Sequence, residues 1–112
     1  TLGKGVQPEA HTGLGILYQE RGEMKIGEGE IAAGDLDYAE AAKNFAAAIK
    51  QLGISPDAGT VYQLLGRIYE QQRKYKDAIA LYQQFLKISP DAIESPAIQS
   101  FITQLQKQLE EQ

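Results

Sequence analysis

The chain has 112 residues, with 15 acidic side chains against 11 basic ones for a net charge of −4, and no cysteine. That balance argues against nucleic acid as the partner, since phosphate binding needs a concentrated positive surface. The absence of cysteine excludes disulfides, thiolate metal sites and cysteine nucleophiles. Length and apolar content fit one globular domain, 1–112, with a real core. No apolar run approaches the roughly 18 residues of a membrane span.

The chain opens at Thr1 without a methionine or a signal-like segment, which reads as a processed piece of something longer. Residues 1–7 are expected to form a tail. Compartment is left open, with the cytoplasm as default. Eight of the 11 glycines fall within the first 34 residues. Leu14-Gly15-x-x-Tyr18 reads as part of a helix, and Ile26-Gly27 with Gly34-Asp35 offers a weaker helical candidate. Two arrangements are compatible with this stretch. In one, a Gly-rich helix over 23–33 pairs with the helix that follows. In the other, which glycine's cost of about 1 kcal/mol per helical position favours, the Tyr18 helix makes that pair and 22–36 is an inserted, partly helical connection.

From Tyr38 the apolar residues Tyr38, Ala41, Ala42, Phe45, Ala48, Ile49 and Leu52 follow helical spacing. Asp37 with Glu40 three residues on has the form of a capping box at its start. Leu52-Gly53 looks like a helix end closed by a left-handed glycine, and Pro56 blocks continuation. Tyr62, Leu65, Gly66 and Tyr69 share the next helical stripe. Tyr75, Ala78, Ile79, Tyr82, Phe85 and Leu86 share the one after it. This run superposes on the Tyr38 run, Tyr38 on Tyr75 and Phe45 on Tyr82, a shift of 37. Ser95-Pro96 then reads as an N-cap and first helical residue. Ile98, Phe101, Ile102, Leu105 and Leu109 make the apolar stripe of a closing helix with a polar outer face.

The tetrapeptide Ser55-Pro56-Asp57-Ala58 returns as Ser89-Pro90-Asp91-Ala92, 34 residues later. A fixed period in this range marks stacked supersecondary units. Tyr62-x-x-Leu65-Gly66-x-x-Tyr69, followed by Tyr75, Ala78, Tyr82 and Pro90, resembles the tetratricopeptide repeat. The resemblance is full over 59–92 and degenerate over 8–58, where the Gly-rich insertion falls, and 93–112 takes the place of a capping helix. Small residues at 66 and 78 suit two antiparallel helices meeting closely. Phe85 departs from the alanine usual there, so packing around it should differ. The implied fold is all-α: antiparallel helix-turn-helix repeats stacked as a short right-handed α-solenoid.

That resemblance implies a non-enzymatic module binding a peptide or partner protein in a groove lined by the first helix of each repeat. The groove positions map to Thr60, Gln63, Arg67, Glu70 and Gln71, and upstream to Thr12, Ile16, Gln19 and Glu20. Arg67 is the single cation among them, which argues against a clamp for a C-terminal carboxylate. The alternative is a structural module that self-associates, as a homodimer through the C-terminal helix, or docks within its own larger chain.

Catalytic and cofactor chemistry finds little foothold. Gly3-Lys4-Gly5, Gly13-x-Gly15 and Gly27-x-Gly29 lack the spacing of a phosphate loop or dinucleotide fingerprint. His11 is the sole histidine and reads as a surface residue. Asp35, Asp37 and Glu40 lack a calcium loop's regular oxygen spacing. Arg73, Lys74 and Lys76 complement a helix C-terminus. The tyrosines read as core rather than stacking platforms for bases. No catalytic, metal or cofactor residue is therefore assigned.

Overall fold

A computed structural model describes residues 8–53 and 58–111. Five helices follow one another: α1 (Pro8–Gly27), α2 (Ile31–Leu52), α3 (Ala58–Gln71), α4 (Tyr75–Ile88) and α5 (Ser95–Glu110), with no strand among the described residues. The chain, expected as one domain, divides into two compact units, Thr1–Gly53 and Ile54–Gln112. The expected tail 1–7 and the turn at Pro56 lie outside the described residues.

In the first unit α1 packs along α2 as a helical hairpin. Its glycines are the means of close approach. A Cβ at Gly15 would lie 2.5 Å from the Phe45 ring, and one at Gly22 2.8 Å from the Tyr38 ring. Nearer the turn the roles reverse: Gly34 of α2 receives Ile26 of α1, with a would-be Cβ 2.5 Å from Cγ1. Each bare Cα is a hole for a large side chain opposite. The helical propensity lost at these glycines is offset by dense packing around Tyr38 and Phe45, which are buried.

The second unit places α3 on α4 and α4 on α5. Tyr62, Leu65, Ile68, Ala78, Tyr82 and Phe85 are buried, as are Ile98, Ile102 and Leu105 of the closing helix. Gly66 receives the Tyr82 ring, a would-be Cβ lying 2.5 Å from Cε1. The close neighbour of Gly66 is thus Tyr82 rather than Ala78. Phe85 is accommodated by a further glycine, since a Cβ at Gly59 would lie 2.7 Å from its ring. This is the altered packing that the bulk of Phe85 demands.

Both hairpins turn in the same way. After α1, Gly29 N–H donates to Ile26 (3.0 Å) and Glu30 N–H to Lys25 (2.8 Å). After α3, Arg73 N–H donates to Glu70 (3.0 Å) and Lys74 N–H to Tyr69 (2.8 Å). These are the paired bonds of a Schellman motif, with Gly29 (φ 90°) and Arg73 (φ 61°) at its left-handed position. Glu30 and Lys74, which precede α2 and α4, share nearly one backbone conformation (φ −89°, ψ 69° and φ −91°, ψ 68°). Aligned on the turns, the units are related by a shift of 44: Gly22 to Gly66, Gly34 to Ala78, Tyr38 to Tyr82.

Four expectations change accordingly. Tyr38 corresponds to Tyr82, not to Tyr75, because the shift of 37 is one heptad short and a heptad returns a helix to the same face. The Tyr18 helix does pair with the Tyr38 helix, but residues 22–36 are not inserted between them: apart from Glu28–Glu30 they continue α1 and begin α2, both longer than α3 and α4. Asp37 is not a cap, for α2 starts at Ile31 and carries Asp37 buried within it. Its carboxylate sits 2.8 Å from Lys25 Nζ and 4.0 Å from Arg21 Nε of α1. Ser95 does not cap α5 either; its hydroxyl donates to the Ser89 carbonyl at 2.8 Å, tying the end of α4 to the start of α5.

Gly53 closes α2 with a positive φ of 62° and its N–H on Ile49, as its sequence context suggested, although its ψ of −126° lies away from the left-handed helical value. His11 is half-buried, its Nδ1 donating to Asn44 Oδ1 at 3.2 Å, while Asn44 Nδ2 donates to the Glu40 carbonyl. The histidine thereby staples α1 to α2. Among the tyrosines, 38, 62 and 82 are buried, whereas 18, 69 and 75 are half-buried. Tyr18 and Tyr69 lie under the cations of Arg21 (5.5 Å) and Lys74 (5.9 Å).

Candidate functional site

The exposed side of α3 carries Thr60, Gln63, Leu64 and Arg67, successive turns of one helical face. Together with Tyr82 of α4 and Ile98 and Phe101 of α5 they line a concave pocket of about 130 Å³. Its floor is apolar, made by the Tyr82 ring and Ile98. Phe101 leans over it at 5.9 Å from the Tyr82 ring centroid, tilted by 46°, a geometry favourable for aromatic pairs. Thr60, Gln63 and Arg67 supply the polar wall.

Glu70, one turn beyond Arg67, is drawn inward: Tyr82 donates its phenolic hydrogen to Glu70 Oε2. Burial holds the Tyr82 phenol well above the ordinary tyrosine range; the bond to Glu70 and that carboxylate's charge push the same way, and Arg67 opposes them. The phenol therefore stays a neutral donor. Arg67 itself is exposed and forms no ion pair among the described residues.

Of the expected groove residues, the fold brings Thr60, Gln63 and Arg67 together. Glu70 is engaged with Tyr82, and Gln71 lies exposed in the last turn of α3. Thr12, Ile16 and Gln19 are on α1 in the other unit, Gln19 donating to Glu23 at 3.3 Å. In the turn-based register Ile16 matches Thr60, Gln19 matches Gln63, and the counterpart of Arg67 is Glu23, which the sequence reading passed over. It also passed over Leu64, Tyr82, Ile98 and Phe101 as lining. Leu64 beside Leu65 was a usable signal, since two adjacent leucines cannot both face one core on a helix. Nothing local marks Tyr82, a buried residue, as lining a pocket.

Among the described residues no group of three or more His, Asp or Glu is arranged to hold a metal ion. No described helix is long and apolar enough to cross a membrane.

Helical hairpins of this build, with small residues seating aromatic ones across each pair, define a helical-repeat protein. The family model described as tetratricopeptide repeat matches residues 26–93, more than half of the chain, and the chain belongs to that family. The match begins in the last turn of α1, so the helix that pairs with α2 lies almost wholly upstream of it. Neither curated proteins nor solved structures yield a match. Tetratricopeptide repeats are in general protein–protein interaction modules and typically non-enzymatic scaffolds.

Proposed function

We propose that this chain is a non-enzymatic adaptor that holds an extended peptide, or a segment of a partner protein, against the outer face of α3. The observation that carries the reading is the pocket shared by α3 and α5. It joins an apolar floor to a wall of hydrogen-bonding side chains, the mixture that small recognition sites use for grip and orientation. In this reading Thr60 and Gln63 bond a peptide backbone, while Leu64 and Phe101 flank an apolar side chain. Thr12, Ile16 and Gln19 would offer a separate surface of the same kind on α1 of the first unit.

Self-association through α5 has less support. Ile98, Ile102 and Leu105 of its apolar stripe are already buried, which leaves chiefly Phe101, 37% exposed.

Amide NMR spectra of the full chain, recorded with peptides enriched from a random display library, test the proposal. Shifts should concentrate at residues 60–67 and 98–101. Peptides whose shifts fall elsewhere, or a dimer in sedimentation that Phe101→Glu dissolves, would count against the adaptor reading.

A further inference from the structure

The charge on the pocket wall narrows what the pocket can take, an inference that rests on the adaptor reading above. Arg67 is the only charged side chain among the lining residues. It is exposed and unpaired among the described residues, while the nearest carboxylate along the helix, Glu70, accepts the Tyr82 hydroxyl. A guanidinium at the edge of an apolar floor is screened less than one in open water and can present two parallel N–H groups to a carboxylate.

Volume sets the apolar half of the ligand. An engineered apolar cavity of about 150 Å³ accepts a benzene ring, so about 130 Å³ suits one side chain of leucine, methionine or phenylalanine size. The net charge of −4 disfavours a ligand with many acidic groups. A phosphate, being close to doubly charged, would call for more than one cation, and the lining has one.

We infer that the pocket between α3 and α5 anchors a single large apolar side chain of a peptide, with one carboxylate next to or next-but-one to it held by Arg67. Gln63 and Thr60 bond the intervening backbone. The carboxylate is that of an Asp or Glu side chain, since a lone cation does not make a clamp for a peptide C-terminus.

A random-peptide display library is selected in parallel against the wild-type chain and against Arg67→Glu. Wild type should enrich one apolar residue with Asp or Glu beside it. Arg67→Glu should enrich the same apolar residue with Lys or Arg beside it. The wild-type peptide, resynthesised, should bind Arg67→Gln roughly five- to tenfold more weakly, the range of one charge-assisted contact. Amidating its C-terminus should leave binding unchanged, and a loss equal to that of Arg67→Gln would overturn the side-chain assignment. Circular dichroism of both variants should match wild type, since Arg67 is exposed. Peptides that shift the amides of α3 and α5 yet bind all three proteins equally, or that carry no carboxylate, overturn this inference and leave the adaptor reading standing. Selected peptides that bind away from α3 and α5 overturn both.

Discussion

The Tyr82 ring rests on the bare Cα of Gly66, so closely that a Cβ there would lie 2.5 Å from Cε1. Tyr82 is 2% exposed and its hydroxyl is tied to Glu70, so the ring cannot swing away. Gly66→Ala should therefore destabilise the chain by about 1–3 kcal/mol through overpacking, although alanine is the better helix former. Gly13, also helical, has nothing within 4 Å of the same construction. Gly13→Ala should stabilise by about 1 kcal/mol. Opposite signs in urea denaturation would separate packing glycines from idle ones; stabilisation by both would refute the close contact.

The two hairpin turns form a natural comparison. Gly29 and Arg73 occupy the same left-handed position, and an L-residue there costs roughly 1–2 kcal/mol that glycine largely avoids. Arg73→Gly should raise stability by about 0.5–1 kcal/mol, with part of the gain lost to glycine's freedom in the unfolded chain. Gly29→Ala should lower it by about 1 kcal/mol. Thermal midpoints of the two variants moving in the same direction would contradict the shared turn.

Arg21, Lys25 and Asp37 stand where the second hairpin has Leu65, Tyr69 and Leu81 in the turn-based register. Asp37 is buried against Lys25, so Asp37→Asn should cost about 1–2 kcal/mol. The triple change Arg21→Leu, Lys25→Tyr, Asp37→Leu copies the other hairpin. It should be neutral or stabilising, because well-packed apolar groups commonly match a buried ion pair. If the triple variant unfolds more readily than Asp37→Asn alone, the equivalence of the positions fails.

Burial raises the phenols of Tyr38, Tyr62, Tyr69 and Tyr82 above their ordinary value, helped at Tyr82 by Glu70 and at Tyr38 by Glu23 and Asp35. Below a pH of about 10 both folded and unfolded chains keep these protons, and the contribution to stability is complete. Above it the unfolded chain ionises first, binds fewer protons than the folded one, and stability falls as pH rises. Denaturation midpoints should thus drop steeply above pH of about 10. Tyr82→Phe should flatten that drop while costing about 1 kcal/mol at neutral pH. A tyrosine absorbance titration of the folded chain with every phenol ionising in the ordinary range would rule the account out.

The helical class, the second hairpin and the closing helix were legible because their apolar stripes run without interruption and Gly66 is bracketed by large residues. The polar side of the site was legible too: Thr60, Gln63 and Arg67 share a face opposite that stripe. Its floor was not. Ile98 and Phe101 come from a helix more than 30 residues along the chain, and no local pattern states which residues of α5 come to lie beside α3.

Periodicity told which face of each helix turns inward, since that depends only on the order of apolar side chains around 3.6 residues per turn. It left open how far one helix slides along its partner, because moving by seven residues presents almost the same face. Tertiary packing resolved the slide. Gly22 had to meet Tyr38 and Gly34 had to meet Ile26, and once those holes were filled α2 began at Ile31, enclosing Asp37 among cations instead of leaving it to cap a helix. Local chemistry made Asp37 a good cap; the closest approach of two backbones, a property of neither helix alone, made it an interior ion.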